Sequence, residues 1–273
     1  LSLYGIETLD ELLSWQSPDI PNIIDHSILA SKSRLFIYGA RKSWKSGLIL
    51  YTGFCLANGD DWFGIKTVQT PVLIYQAELP KHMFKERIAK YSQCEQKAMA
   101  DNLLIKVETD RLKLDTNLGL STMSKYLERA KALFKGRGFV VILDPLFKMM
   151  AGHPSDSRDT QELLDNIDLL KEKYDCAFIV VHHTRKTQVT AEGAQDFGVE
   201  EMTGSGKLGD WCDTAMRIKV TNPQPHGLGN KVEMTFDLAR SADKPLPIIK
   251  AKFDKDTLHP VNISTTYPEE PNE

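Results

Sequence analysis

The stretch RLFIYGARKSWKSGLIL, residues 34–50, decides how the rest of this chain is read. A short apolar run, RLFIY (34–38), stops at Gly39. A segment of helical length, SGLILYTGFCLANG (46–59), follows and ends on an Asn-Gly stop. Between them lies Gly39-Ala40-Arg41-Lys42-Ser43-Trp44-Lys45-Ser46, a glycine, five residues, then Lys-Ser. That is the frame of a phosphate-binding loop. Backbone N–H groups at a helix N-terminus wrap an anion, Lys45 reaches the terminal phosphates, and the Ser46 hydroxyl can hold Mg²⁺. The spacing alone is a weak signal, since a strand–turn–helix capped by Ser43 with solvated lysines has the same letters. Its position, after an apolar strand and opening a helix, is the context the mechanism needs.

Trp44 stands where such loops usually carry a second glycine. A Cβ is tolerable there if residue 44 is already in the first helical turn with its side chain aimed away from the phosphates. The expectation is that Trp44 points outward, against a neighbouring element or subunit, and that the loop is a working variant.

Beyond the loop, strands and helices alternate. PVLIYQAE (71–78) reads as a strand and KHMFKERIAKYSQ (81–93) as a helix. NLLIKVE (102–108) is a strand, LSTMSKYLERAKALFKGRG (120–138) an amphipathic helix, and GFVVILDP (138–145) a continuous apolar strand. RDTQELLDNIDLLKEKYD (158–175) is again amphipathic, and CAFIVVHHT (176–184) again a strand. Continuous apolar strands separated by helices predict an α/β fold, a mainly parallel β-sheet flanked by helices. TAMRIKV, KVEMTFDLAR and IIKAKFD, with turn signals between them, predict C-terminal antiparallel strands added to it. Residues 1–30 read as a short helix and an extended linker broken by Pro18 and Pro21. Residues 31–262 read as one domain, and 263–273 as a disordered tail.

In an open parallel sheet, ligands bind beyond the carboxyl ends of the strands. Asp144 lies there after FVVIL, placed to accept a hydrogen bond from a Mg²⁺-bound water. Glu78 lies there after VLIYQA, placed to orient or deprotonate an attacking water. His182 and His183 end a third strand. Neighbours on a strand face opposite ways, so the two do not grip one ion together, and one of them suits a polar contact to a γ-phosphate. A turn at Asp144-Pro145 and a helix-start acid at Glu78 are the plain structural readings of either residue alone; a shared sheet edge is harder to assign to packing.

The net charge of −3 provides no global basic field for nucleic acid. Cys55, Cys94, Cys176 and Cys212 are widely spaced and form no C-x-x-C pair, which reads as free thiols in a reducing cytoplasm. No apolar run approaches bilayer length, and no leader segment is visible.

The order of these motifs resembles the RecA-type P-loop ATPases, and within them the RepA-like branch of plasmid and phage hexameric helicases and their AAA-family relatives. The resemblance rests on FIYGARKSWKSGLIL, VLIYQAELPKHMFKERI, VVILDPLFKMM, IVVHHTRK, GSGKLGDWCDTAMRI and LARSADKPLPIIKAKFD. It implies ATP and Mg as ligands, Lys45 and Ser46 as the Walker A pair, Asp144 as the Walker B acid, and Glu78 as the catalytic glutamate. It further implies His183 as the γ-phosphate sensor, Arg240 as the arginine a neighbouring subunit inserts into the ATP site, and a homo-oligomer built as a hexameric ring. Residues 186–203 match the loop that faces single-stranded DNA in the channel, with Arg185, Lys186 and Lys207 as candidate DNA contacts. Two features depart from that pattern. Leu238 replaces a lysine often found beside the arginine, and the loop carries Glu192, Asp196, Glu200 and Glu201 against Lys186. Two functions therefore compete: a ring-forming ATP-driven motor or helicase core, and a nucleotide-switched regulatory ATPase that controls assembly without unwinding.

Overall fold

The computed structural model describes residues 6–16, 20–92, 101–108, 112–152, 156–184, 189–190, 193–194, 207–223 and 231–268. The elements run α1 (Leu9–Ser14), β1 (Asn22–Ile24), β2 (Leu29–Ala30), β3 (Arg34–Gly39), α2 (Lys45–Asn58), β4 (Val72–Gln76), α3 (Lys81–Ser92) and β5 (Leu103–Val107). They continue with α4 (Asn117–Leu133), β6 (Phe139–Asp144), a 3-10 turn (Leu146–Met149), α5 (Ser157–Tyr174) and β7 (Cys176–His183). The rest comprises a two-stranded pair β8 (Val189–Thr190) and β9 (Gly193–Ala194), α6 (Lys207–Trp211), β10 (Thr214–Asn222), β11 (Lys231–Ala239), β12 (Ile248–Phe253) and β13 (Pro260–Thr266).

Nine strands form one sheet in the order β13-β12-β11-β10-β3-β7-β6-β4-β5. Strands β3, β7, β6, β4 and β5 pair in parallel; the side chains of the inner four are almost all buried on both faces, as continuous apolar runs require, while β5, at the edge, is half-buried with Ile105 exposed. Alternation along each strand sorts the core into two layers. Leu35, Ile37, Ile74, Ile142 and Ile179 face α2 and α3, while Phe36, Tyr75, Val141 and Phe178 face α4 and α5. Helix α2 lies almost wholly inside, with Leu48 through Leu50 and Leu56 at zero exposure, which suits a helix apolar all round.

Three expectations change. TAMRIKV, read as antiparallel, forms β10, which runs parallel to β3 (Thr214↔Leu35 to Arg217↔Tyr38); the antiparallel part begins at β11. The segment read as a linker before residue 30 contains the β1–β2 hairpin, whose Ile24, Ile28 and Leu29 are buried in the core. Its buried Ile23, Ile24, Ile28 and Leu29 tie it to the core, and Pro18 lies outside the described residues. The tail read from 263 onward begins inside β13, an edge strand polar enough on its open face to resemble coil.

Candidate active site

Strand order assembles the site. Because β7 lies beside β3 and β6 beside β4, the residues at their carboxyl ends meet although they are far apart in sequence: Gly39 pairs with His183, and Gln76 with Asp144. These ends and the N-terminus of α2 border a cleft of about 820 Å³ lined by residues 41–47, Glu78, Arg87, Asp144, Lys148, His183 and Lys255 among others.

The loop curls by left-handed backbone. Lys42 and Trp44 have φ of 64° and 68°. Such alternation turns successive N–H groups toward one point and makes an anion-binding concavity. Gly39 serves a different need, since a Cβ there would run into the carbonyl oxygen of Ile218 on β10. The expectation that residue 44 is already helical is corrected: Trp44 is the N-cap of α2 in the left-handed region. Its ring stacks on Phe253 of β12, centroids 5.5 Å apart and planes 5° from parallel. A residue with a costly backbone conformation is therefore held by a side-chain contact within its own chain.

Lys45 is buried, and its Nζ donates to the Gly39 carbonyl at 2.8 Å, the Ala40 carbonyl at 2.6 Å and the Ser43 Oγ at 3.1 Å. Burial lowers its pKa to about 8, against the pull of Asp144 and Glu78. Asp144 is buried as well. Burial and the neighbouring Glu78 raise its carboxyl to about 7, opposed by a hydrogen bond from Ser46 and by the charges of Lys45 and Arg87. The two values state one fact: an ammonium and a carboxylate share a poorly solvated site.

Glu78 sits on the turn after β4, and a residue that sequence reasoning passed over holds it there. The fully buried Gln76 donates from Nε2 to Asp144 Oδ2 at 3.3 Å, while its Oε1 accepts from the backbone N–H of Glu78 and, at 3.1 Å, from that of Leu79. One amide thus ties the two carboxylate-bearing segments together. Arg87 on α3 was also missed. It lines the cleft, burial lowers its pKa, and Asp144 and Glu78 act on its charge.

His183 Nδ1 is buried without a hydrogen-bond partner, and the ring packs on Phe147 at 5.2 Å. Burial first, then Lys45, His182 and Arg41, lower its pKa to about 4, so it is neutral near pH 7. His182 projects to the other face, near Phe36. Of the remaining predicted residues, Arg240 follows β11 at the opposite end of the sheet. Ala239 pairs with Thr214, which pairs with Leu35, so Arg240 lies roughly 17 Å along the strands from Gly39, at about 3.3 Å per residue. Lys207 opens α6, outside the cleft. Arg185 and Lys186 lie outside the described residues.

The cleft fits a polyphosphate and magnesium. Its lining carries Arg41, Lys42, Lys45, Arg87, Lys90, Lys148 and Lys255 against Glu78, Glu86 and Asp144. Among the described residues no three His, Cys, Asp or Glu side chains are grouped to hold a metal by themselves. Magnesium takes most of its ligands from phosphate and water, so Ser46 beside Asp144 is the donor set such a site requires.

A family model described as an AAA domain matches residues 6–189, well over half of the chain. A search of curated proteins by sequence found no match. Among solved structures, a DnaB-like replicative helicase, described with its interactions with primase, superposes with a TM-score of 0.63 at 16% identity over 86% of this chain. The RadB recombinase superposes with a TM-score of 0.53 at 14% identity, over 84% of this chain and 90% of its own. This chain spans 58% of the helicase's length. No described helix is long and apolar enough to cross a membrane. The chain belongs to that AAA-domain family, with the fold of a RecA-type P-loop ATPase.

Proposed function

We propose that this chain binds and hydrolyses ATP with Mg²⁺ and forms the motor core of a ring-shaped DNA helicase of a plasmid, phage or other mobile element. The observation that carries the ATPase reading is the single cleft in which Lys45, Ser46, Glu78, Asp144 and His183 meet at the ends of four neighbouring strands. Lys45 binds the terminal phosphates, exchanging the carbonyls of Gly39 and Ala40 for phosphate oxygens. Asp144 and Ser46 would hold Mg²⁺, which would supply positive charge to the bound phosphates. Glu78, pinned by Gln76, orients the attacking water. His183, neutral and lining the cleft, hydrogen-bonds the γ-phosphate. Arg240 lies too far from its own loop to act in cis and serves the site of an adjacent subunit.

The helicase part rests on the resemblance and on the structural likeness to a DnaB-like replicative helicase. The acidic stretch 186–203 favours the second reading, a regulatory ATPase that controls assembly of protein partners. The deciding measurement is ATP turnover with and without single-stranded DNA at low salt. Severalfold stimulation that disappears in Lys186→Ala or Lys207→Ala supports the motor. Unstimulated turnover of a nucleotide-dependent oligomer supports the regulator.

A further inference from the structure

Arg240 is exposed, yet its guanidinium is fixed along one edge. Nε donates to the Cys212 carbonyl at 3.1 Å and an Nη2 proton to the Asp210 carbonyl at 2.9 Å, while its backbone N–H donates to the Asp213 carbonyl at 2.9 Å. Among the described residues Nη1 has no partner, so the opposite edge is open to an incoming anion. All three acceptors belong to the end of α6 and the two residues after it. The direction of the open edge therefore follows the position of α6.

That position is clamped from two sides by residues far away in sequence. Arg34, at the start of β3, holds Asp213 three times, from its backbone N–H at 2.8 Å, from Nε at 3.0 Å and from Nη2 at 3.0 Å. The same guanidinium reaches Asp168 of α5 through Nη1 at 3.1 Å to both carboxylate oxygens. Asp168 Oδ2 also accepts from the Trp211 indole at 2.8 Å, and the Arg34 guanidinium lies over the Trp211 ring at 4.9 Å from its centroid. Arg34 makes planar, two-pronged contacts that fix orientation as well as distance.

We propose that Arg34, Asp168, Trp211 and Asp213 are positioning residues for Arg240, an assembled clamp that aims its free edge outward at an anion on an adjacent subunit. The proposal rests on the reading of Arg240 as acting in trans. The placement matters because a cation at a transition-state phosphate works only in register, and misplacement by about 1 Å costs roughly 100-fold.

The test uses the full chain and the mildest change, Trp211→Phe, which keeps the ring over Arg34 but removes the N–H to Asp168, with Asp168→Asn as a second variant. Expected are turnover reduced by about tenfold or more, unchanged affinity for a fluorescent ATP analogue and a melting temperature close to the parent's; Arg240→Ala should lose roughly 1000-fold. Mixing then separates positioning from general damage. Lys45→Ala subunits cannot turn over but carry an intact clamp and Arg240. Added to Trp211→Phe subunits, they should restore turnover per competent site, as they should for Arg240→Ala. Normal turnover in Trp211→Phe and Asp168→Asn, or a loss that Lys45→Ala subunits do not rescue while they rescue Arg240→Ala, overturns the clamp alone. An Arg240→Ala chain that is unimpaired or unrescued overturns the trans reading beneath it.

Discussion

Replacing Trp44 tests the loop most sharply, because it sets two opposed effects against each other at one residue. The left-handed backbone costs a non-glycine residue about 1–2 kcal/mol. Trp44→Gly relieves that strain but adds freedom to the unfolded chain worth about 0.4–1 kcal/mol, so glycine should beat alanine there by about 0.5–1 kcal/mol. Both variants lose the stack on Phe253, about 0.5–1.5 kcal/mol beyond area burial, and part of the indole's apolar burial, about 1–2 kcal/mol. The expected order of stability is wild type, then Trp44→Gly, then Trp44→Ala, with the alanine variant about 2–3 kcal/mol below wild type. At roughly 2–4 °C per kcal/mol for a chain of this size, the differences are readable by urea titration and by melting. A double-mutant cycle with Phe253→Ala should return a coupling of about 1 kcal/mol. Nucleotide affinity should follow the curl of the loop: nearly unchanged for glycine, which adopts it freely, and weakened for alanine. An alanine variant as stable as the glycine variant would refute the reasoning, because the reversal of their usual order depends on a left-handed residue 44.

Gln76→Met keeps volume but removes the amide that joins Asp144 to the Glu78 turn, stranding the Glu78 and Leu79 N–H groups. Turnover should fall by about 10–100-fold with nucleotide affinity within a few-fold; equal losses in both would point to collapse of the site instead. For His183, the folded pKa of about 4 lies below its ordinary value, so the folded state binds fewer protons between about 4 and 6.5. Its contribution to stability is therefore complete above pH 6.5 and is lost as pH falls toward 4. Asp144 works in the opposite sense, keeping its proton up to about 7 when folded. The comparison is cleanest in an Asp144→Asn background, where the urea midpoint should fall on going from pH 7 to pH 5, and fall less when His183→Gln is added. Identical slopes would remove the half-buried, neutral imidazole from the account.

What could be read from the letters, and what could not, divides along the range of the interactions. FVVILD and CAFIVVHH announced buried strands because a strand covered on both faces has no polar alternation to confuse it. Once the strands were placed, the sheet-edge rule brought Lys45, Glu78, Asp144 and His183 to one end without further information. Gln76 escaped notice because its importance lies in a partner 68 residues away, and nothing in VLIYQ distinguishes a buried amide from a strand-end polar residue. Arg87 escaped because helical spacing gives the face a residue occupies and not the element that face covers. The clamp around Arg240 was least accessible of all, since Arg34 meets Asp213 across 179 residues and Asp168 across 134. Trp44 is the reverse case. The letters signalled the anomaly and suggested a helical backbone as the remedy, whereas the fold accepts the left-handed conformation and secures it with Phe253, a residue 209 positions further on. Local chemistry thus places the candidate site groups, while the contacts that hold them in register are non-local and become visible only once the chain is folded.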